Sequence, residues 1–317
     1  MRKSISVVIF NLVLLSGFIF FPQSAQAAYT GTQQNFTNEG SSLTFTPPAG
    51  SKFTSVLFAS YGTPNTSTYA TGSCHASNSS TIVASYFVGQ TSAVTIGANN
   101  TVFGDPCSGT GKSLAIKLAY TTILTNSAVP VISGTLTPGQ LLTTTNGTWN
   151  VTPDSYSYQW QSSATSNGSY ADISGATSSS YTLTSTEVGK FLKVIVTATN
   201  DAGGVQSTSA ATGSAVSGAT TTTLSITGSP TTTDFRNVRA LIVGVSVNGK
   251  VTLKANGIII SGCKNKLTTG LSFTCNWKPA TRGYVNLIAT YSPTIAGYQT
   301  STSSTYRIFV TNRSGTR

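Results

Sequence analysis

Apolar and polar positions along this chain fall into short runs separated by turn-forming residues. Ser55 to Ala59, Leu114 to Leu118, Tyr156 to Trp160, Phe191 to Thr199 and Val285 to Tyr291 are rich in Val, Ile, Thr, Tyr or Phe. Clusters of Gly, Asn, Pro and Ser lie between them, the pattern of strands joined by turns. In Lys193 to Thr199 a period of two puts Val194, Val196 and Ala198 on one face, as a half-buried strand requires. Helical signals are nearly absent beyond the first residues. The pattern predicts an all-β chain.

The first residues read as an address. Arg2 and Lys3 precede an apolar stretch from Ile5 to Phe21, and Ala25-Gln26-Ala27 supplies a small–x–small cleavage pattern. A signal peptide is expected over residues 1–27, with an uncleaved signal anchor as the alternative. No later segment approaches the roughly 18 to 20 uninterrupted apolar residues of a membrane span. The expected product is secreted or extracellular, free or held non-covalently at a cell surface.

Composition turns to Ser, Thr, Ala and Gly at Thr125 to Ala128 and again from Gly213 to Thr223, the second suited to a flexible linker. This gives modules of about 28–125, 127–216 and 220–317. Charge separates them, at +1, −2 and +10, the last carrying eleven Lys and Arg against Asp234 alone. A field of that size attracts acidic polymers. Anionic cell-envelope polymer is the expected partner, against the plainer reading of a charge that only keeps the module soluble. Nucleic acid is not expected, given export and the lack of a recognition motif.

Chemistry is sparse. The 317 residues hold 7 Asp+Glu, 18 Lys+Arg and one His, so groups for acid–base catalysis or metal binding are few. No enzyme activity, metal or cofactor is expected. The four cysteines are an even number in an oxidising compartment, which reads as disulfides. Spacing pairs Cys74 with Cys107 and Cys263 with Cys275, each within one module.

In the middle module Tyr156-Ser157-Tyr158-Gln159-Trp160 is followed by Ile173-Ser174-Gly175-Ala176-Thr177, Tyr181-Thr182-Leu183 and the run from Val188 to Asn200. This resembles the Ig-like repeat of bacterial surface proteins. The resemblance implies a sandwich with Trp160 and Trp149 as packing residues and a spacer role. The third module, with Val251 to Ile258 and Val285 to Ser292, resembles a bacterial Ig-like domain more loosely.

The first module carries the most specific pattern. Asn38-Glu39-Gly40-Ser41-Ser42-Leu43 is followed by Ala59-Ser60-Tyr61-Gly62-Thr63. Then comes Ala98-Asn99-Asn100-Thr101-Val102-Phe103-Gly104-Asp105-Pro106-Cys107, ending in Ser108-Gly109-Thr110-Gly111-Lys112-Ser113-Leu114. Residues 33–121 resemble the galactose/rhamnose-binding (SUEL-type) lectin domain. The resemblance implies a compact β-sandwich with room for a short helix, and metal-independent binding of rhamnose- or galactose-like glycans. The implied carbohydrate-binding residues are Glu39, Tyr61, Asn100, Asp105 and Lys112. The carboxylates would accept hydroxyl protons, Lys112 would donate, and Tyr61 would offer its ring to a sugar face. Thr63 and Ser113 stand where the family has Arg and Tyr, and Phe87, Val88 and Val94 occupy the region of a missing family disulfide.

Two functional readings follow. One is a secreted carbohydrate-binding protein with a lectin module on an Ig-like stalk. The other is a structural or adhesive surface protein with a degenerate pocket, whose basic module binds envelope polymer. A two-carboxylate glycosidase is disfavoured beside these two, because the resemblance is to a non-catalytic family.

Overall fold

The computed structural model describes residues 26–27, 30–227, 232–234 and 239–311. The expected signal peptide lies outside the described residues except for Gln26 and Ala27. The chain is all-β, with short α-helices only at Ser79–Phe87 and Asn100–Phe103 among the described residues. No described helix is long and apolar enough to cross a membrane.

The amino-terminal core is built on an antiparallel sheet. Strand β1 (Thr30–Asn38) and strand β3 (Ser51–Gly62) flank β5 (Ser113–Thr122), while β2 (Ser42–Phe45) pairs with β4 (Val94–Gly97). Alternation along β5 sends Leu114, Ile116, Leu118 and Tyr120 inward, where they meet Phe53, Tyr61 and Phe87. Helix α1 (Ser79–Phe87) packs on β3, and its Phe87 ring sits edge-on to Phe45 and Phe53 at 5.6 and 5.9 Å. Phe87 is therefore an apolar filler in the region expected to lack a disulfide. Val88 is not, because it is exposed.

The turn after Tyr61 requires glycine. Gly62 has φ +147, and a Cβ there would meet the carbonyl oxygen of Cys74. That close approach forms a bridge between Gly62 and His75, next to the Cys74–Cys107 disulfide, whose Cα atoms are 6.0 Å apart.

The middle core lies between two sheets. One contains β6 (Ser155–Ser163), β7 (Phe191–Asn200) and β8 (Gly203–Thr208); the other joins Ile132–Ser133, Leu141–Thr144 and Ser180–Thr182. Trp160 is wholly buried, with Nε1 donating to the Ser178 carbonyl at 2.9 Å. Val194, Val196 and Ala198 are buried, as the alternation predicts. Trp149 packs instead with Leu124, Val151 and Ala198 in a small cluster where the amino-terminal and middle regions meet. Asn200 Nδ2 donates to the Thr122 carbonyl there at 2.9 Å.

The carboxy-terminal core stacks one sheet of β9 (Thr222–Ile226), β10 (Arg239–Val245) and β12 (Ser272–Trp277) on another. The second contains β11 (Gly249–Ala255), β13 (Gly283–Pro293) and β14 (Tyr306–Thr311). The Cys263–Cys275 disulfide closes part of this core.

The stretch from Gly213 to Thr223 is not the free linker its composition predicts. Val216 is fully buried in the middle core and its amide donates to the Lys190 carbonyl at 2.8 Å. Gly218 donates to Gly297 O and accepts from Gln299 N, each at 2.9 Å, which ties the middle and last regions together. A Cβ on Gly218 would collide with the Tyr298 ring at 2.6 Å, so the small residues here permit close packing as well as flexibility. Composition alone does not distinguish the two uses of glycine. Hydrogen exchange should therefore find the amides of Val216, Gly218 and Gln299 protected by at least about a hundredfold. Exchange at unprotected rates would mean a free linker.

Candidate functional site

The five residues singled out in the amino-terminal region come from four separate segments. Glu39 follows β1, Tyr61 ends β3, Asn100 opens helix α2 (Asn100–Phe103), and Asp105 and Lys112 lie in the loop before β5. Local capping sets this geometry. Asn99 Oδ1 accepts the Val102 amide at 3.0 Å, and Asp105 Oδ1 accepts the Cys107 amide at 3.1 Å.

These segments converge on one cation. Lys112 Nζ lies 3.0 Å from Asp105 Oδ1 and 3.6 Å from Glu39 Oε1, and it donates to the Thr110 carbonyl at 3.1 Å. Its side chain is only 4% exposed, while those of Glu39 and Asp105 are 32% and 38% exposed. Beneath them the Tyr61 hydroxyl is 2.9 Å from Glu39 Oε1 and 2.8 Å from Asn100 Oδ1. A phenol has one proton, so the carboxylate takes it, and the Asn100 amide meets the phenolic oxygen best with its NH2 end.

The residues divide into a floor and a rim. Tyr61 is 0% exposed, and its ring stacks on Phe103 with centroids 5.0 Å apart. It therefore cannot offer a face to a sugar, which corrects the role expected from the sequence. Lys112 has three ammonium protons and three acceptors already around it, so it is a positioning residue rather than an open donor. Glu39, Asn100 and Asp105 form the exposed rim. In each carboxylate one oxygen is tied into the network, and the other makes no hydrogen bond or ion pair among the described residues.

The positions that depart from the lectin pattern are also placed. Thr63 Oγ1 accepts the Cys74 amide at 3.2 Å, and Ser113 Oγ donates to Asn38 Oδ1 at 3.1 Å. Thr63 braces backbone beside the site, and Ser113 links β5 to the end of β1 through side chains. The loop from Pro64 to Gly72 folds on itself through Asn65, and its Tyr69 ring meets Phe58 edge-on at 5.8 Å.

The rim continues into a shallow cleft of about 270 Å³ lined by His75, Ser77, Asn78, Gly104 and Asp105. His75 Nδ1 is 2.8 Å from the Ser60 hydroxyl, which fixes the ring. Sequence reading missed this side of the site. The signal was available, because pairing Cys74 with Cys107 necessarily brings His75 close to Asp105.

No family model matches the chain. A curated protein, Beta-galactosidase 6 of Oryza sativa subsp. japonica, is 35% identical over 96 residues, covering 29% of this chain. The chain spans only 11% of that protein's length. Among solved structures, the fibronectin(III)-like modules of Clostridium thermocellum CbhA align at 15% identity over 60% of this chain and 95% of that one, with a TM-score of 0.24. The titin domains z1z2 align at 14% identity over 60% and 100%, also at 0.24. Chicken CNTN1 FN1–FN3 aligns at 11% over 90% and 99%, at 0.20. At such scores these likenesses carry no structural argument.

The ionisation of the site has a definite sign. The hydrogen bond to Asp105 raises the Lys112 pKa against the opposing effect of burial. Burial, then the bond to Glu39 and the nearby carboxylate charges, raises that of Tyr61. Stabilisation from both groups is complete below their ordinary values, about 10 to 10.4, and is lost as pH rises through the raised ones. The melting temperature of wild type should therefore fall above about pH 10, and Tyr61→Phe should fall less steeply. Parallel curves from calorimetry would remove Tyr61 from the network.

Proposed function

We propose that the amino-terminal region is a metal-independent sugar-binding module of the SUEL lectin kind, selecting galactose- or rhamnose-like rings. The observation that carries this reading is the pair of unengaged carboxylate oxygens on Glu39 and Asp105. They are held at a solvent-facing rim by one buried ammonium. Oriented carboxylates accept protons from adjacent sugar hydroxyls through charge-assisted hydrogen bonds, and the preset geometry lowers the ordering cost of binding. Asn100 adds an amide, and the cleft toward His75 and Asn78 gives the ring a place to lie. The 96-residue likeness to part of a β-galactosidase accords with a galactose-type ligand.

We read the site as one of binding and not of catalysis. Both carboxylates are tied to the same ammonium, which suits them to accept hydrogen bonds and not to donate a proton to a leaving group. The division into a lectin module at 28–125 and Ig-like modules at 127–216 and 220–317 belongs to the same proposal. So does export to an extracellular location, which the two disulfides fit.

One shallow site of this kind binds weakly, on the order of millimolar, so the test uses avidity. The protein, tetramerised through a tag, should bind galactose- or rhamnose-terminated glycans on an array with chelator present. Asp105→Ala should weaken that binding by at least about tenfold, and Glu39→Gln should weaken it measurably. A folded tetramer that ignores every glycan, or an Asp105→Ala variant that binds undiminished, would sink the proposal.

A further inference from the structure

The carboxy-terminal region holds a second surface that the sugar site does not use. Alternation along β11, β13 and β14 sends Val251, Leu253, Leu287, Ala289, Ile308 and Val310 into the core. The same alternation sends Lys250, Lys254, Tyr284, Arg307 and Phe309 to the other face. Register makes this one surface. Lys250 is opposite Ser292, Lys254 opposite Ile288, Arg307 opposite Asn286 and Phe309 opposite Tyr284. Strands lie about 4.8 Å apart and rise about 3.4 Å per residue, so Lys254 and Arg307, two strands apart and offset by two residues, are separated by roughly 12 Å.

Three features of this face point to one class of partner. First, Tyr284 is 61% exposed, with the Arg307 guanidinium 3.8 Å from its ring centroid and Phe309 edge-on at 4.9 Å. Stacking holds the planar guanidinium in place with its donors able to meet a flat anionic group. Among the described residues the ion pairs found lie at Lys112, and none is found at Arg307.

Second, at the Lys250 end of the face lies a cleft of about 300 Å³ lined by hydroxyl and amide side chains, including Thr252, Asn265, Thr290, Ser292 and Thr302. Hydroxyl-rich lining around one lysine suits a sugar ring that bears a negative charge. Third, the only acid in 220–317 is Asp234, on the edge strand paired with β14, against eleven Lys and Arg. The charge complement is an anion.

We infer that the outer face of β11, β13 and β14 binds an acidic polysaccharide, its charged groups at Lys250, Lys254 and Arg307 and its rings along Tyr284 and the hydroxyl-lined cleft. A lipid surface is a poorer fit, because Asn286, Thr252 and Thr290 surround Ile288 in the middle of this face and leave it without a continuous apolar patch. Duplex nucleic acid would draw on the charge but not on the cleft. This surface is independent of the sugar-binding reading, and either can fail alone.

The test uses the whole protein at physiological ionic strength, titrated with polygalacturonate, dextran sulfate, neutral dextran, a short DNA duplex and phosphatidylserine vesicles. Both acidic polysaccharides should bind, and neutral dextran should not. Lys250→Gln with Arg307→Gln should weaken binding by at least about tenfold. Tyr284→Leu, which keeps an apolar strand residue, should weaken it by about fivefold. Lys278→Gln, at the end of a strand of the opposite sheet, should change it less than about twofold, and Asp105→Ala should leave it intact. Circular dichroism checks that each variant folds. The inference is overturned if no acidic polysaccharide binds, if Lys278→Gln costs as much as Lys250→Gln with Arg307→Gln, or if DNA or vesicles bind more tightly than both polysaccharides.

Discussion

A lysine ammonium almost wholly removed from water must bring its counterions with it. In this protein that requirement organises the amino-terminal region around Lys112. Glu39 arrives from the end of β1, Asp105 from the loop beyond α2, and the Thr110 carbonyl from the lysine's own loop. Each carboxylate reaches the cation with one oxygen and leaves the other at the surface. Tyr61, buried beneath, ties Glu39 to Asn100 and cannot move without breaking its stacking on Phe103. The outcome is a set of acceptors fixed in direction before any ligand arrives.

Around this centre the backbone is braced by contacts that charge alone would not supply. The Cys74–Cys107 disulfide links the loop after Gly62 to the loop that carries Asp105, and the tight turn at Gly62 lets the two backbones close. Phe87 fills the other end of the same core, against Phe45 and Phe53. Farther along, Trp149 and its neighbours join the amino-terminal and middle regions, while Gly218 and Gly297 join the middle to the last. The two surfaces argued to bind sugars thus stand at opposite ends of the chain, each on its own core. One has paired acids around a single buried base; the other has bases with almost no acid. They call for different ligands for that reason.

Much of this was legible in the sequence. The period-two run in β7 gave its inward residues, the apolar run at Leu114 to Leu118 gave a strand, and the intramodular cysteine spacing matched both disulfides. The five candidate residues meet in one network. Their individual roles were not legible, because residue type does not reveal burial. Tyr61 and Lys112 read as ligand contacts, yet the core claims the ring and the carboxylates claim the ammonium. The Gly213 to Thr223 stretch misled for a related reason, since small residues serve close backbone packing as readily as flexibility. The resemblance left room for a short helix, but the residues of α1 did not signal it, because Ser79 to Phe87 contains Ser, Thr, Ile and Val, which have modest helix propensity. It is held by burial of Val83 and Phe87.

The central claim is that the rim around Asp105 and Glu39 receives a sugar, and resonance-level mapping tests it most directly. The isotopically labelled protein would be titrated with galactose and with rhamnose to concentrations on the order of tens of millimolar. The account predicts saturable amide shifts concentrated at Glu39, His75, Asn100, Gly104, Asp105 and Cys107, with Tyr284 to Phe309 unmoved. Shifts scattered over the surface, shifts centred elsewhere, or none with either sugar would contradict it.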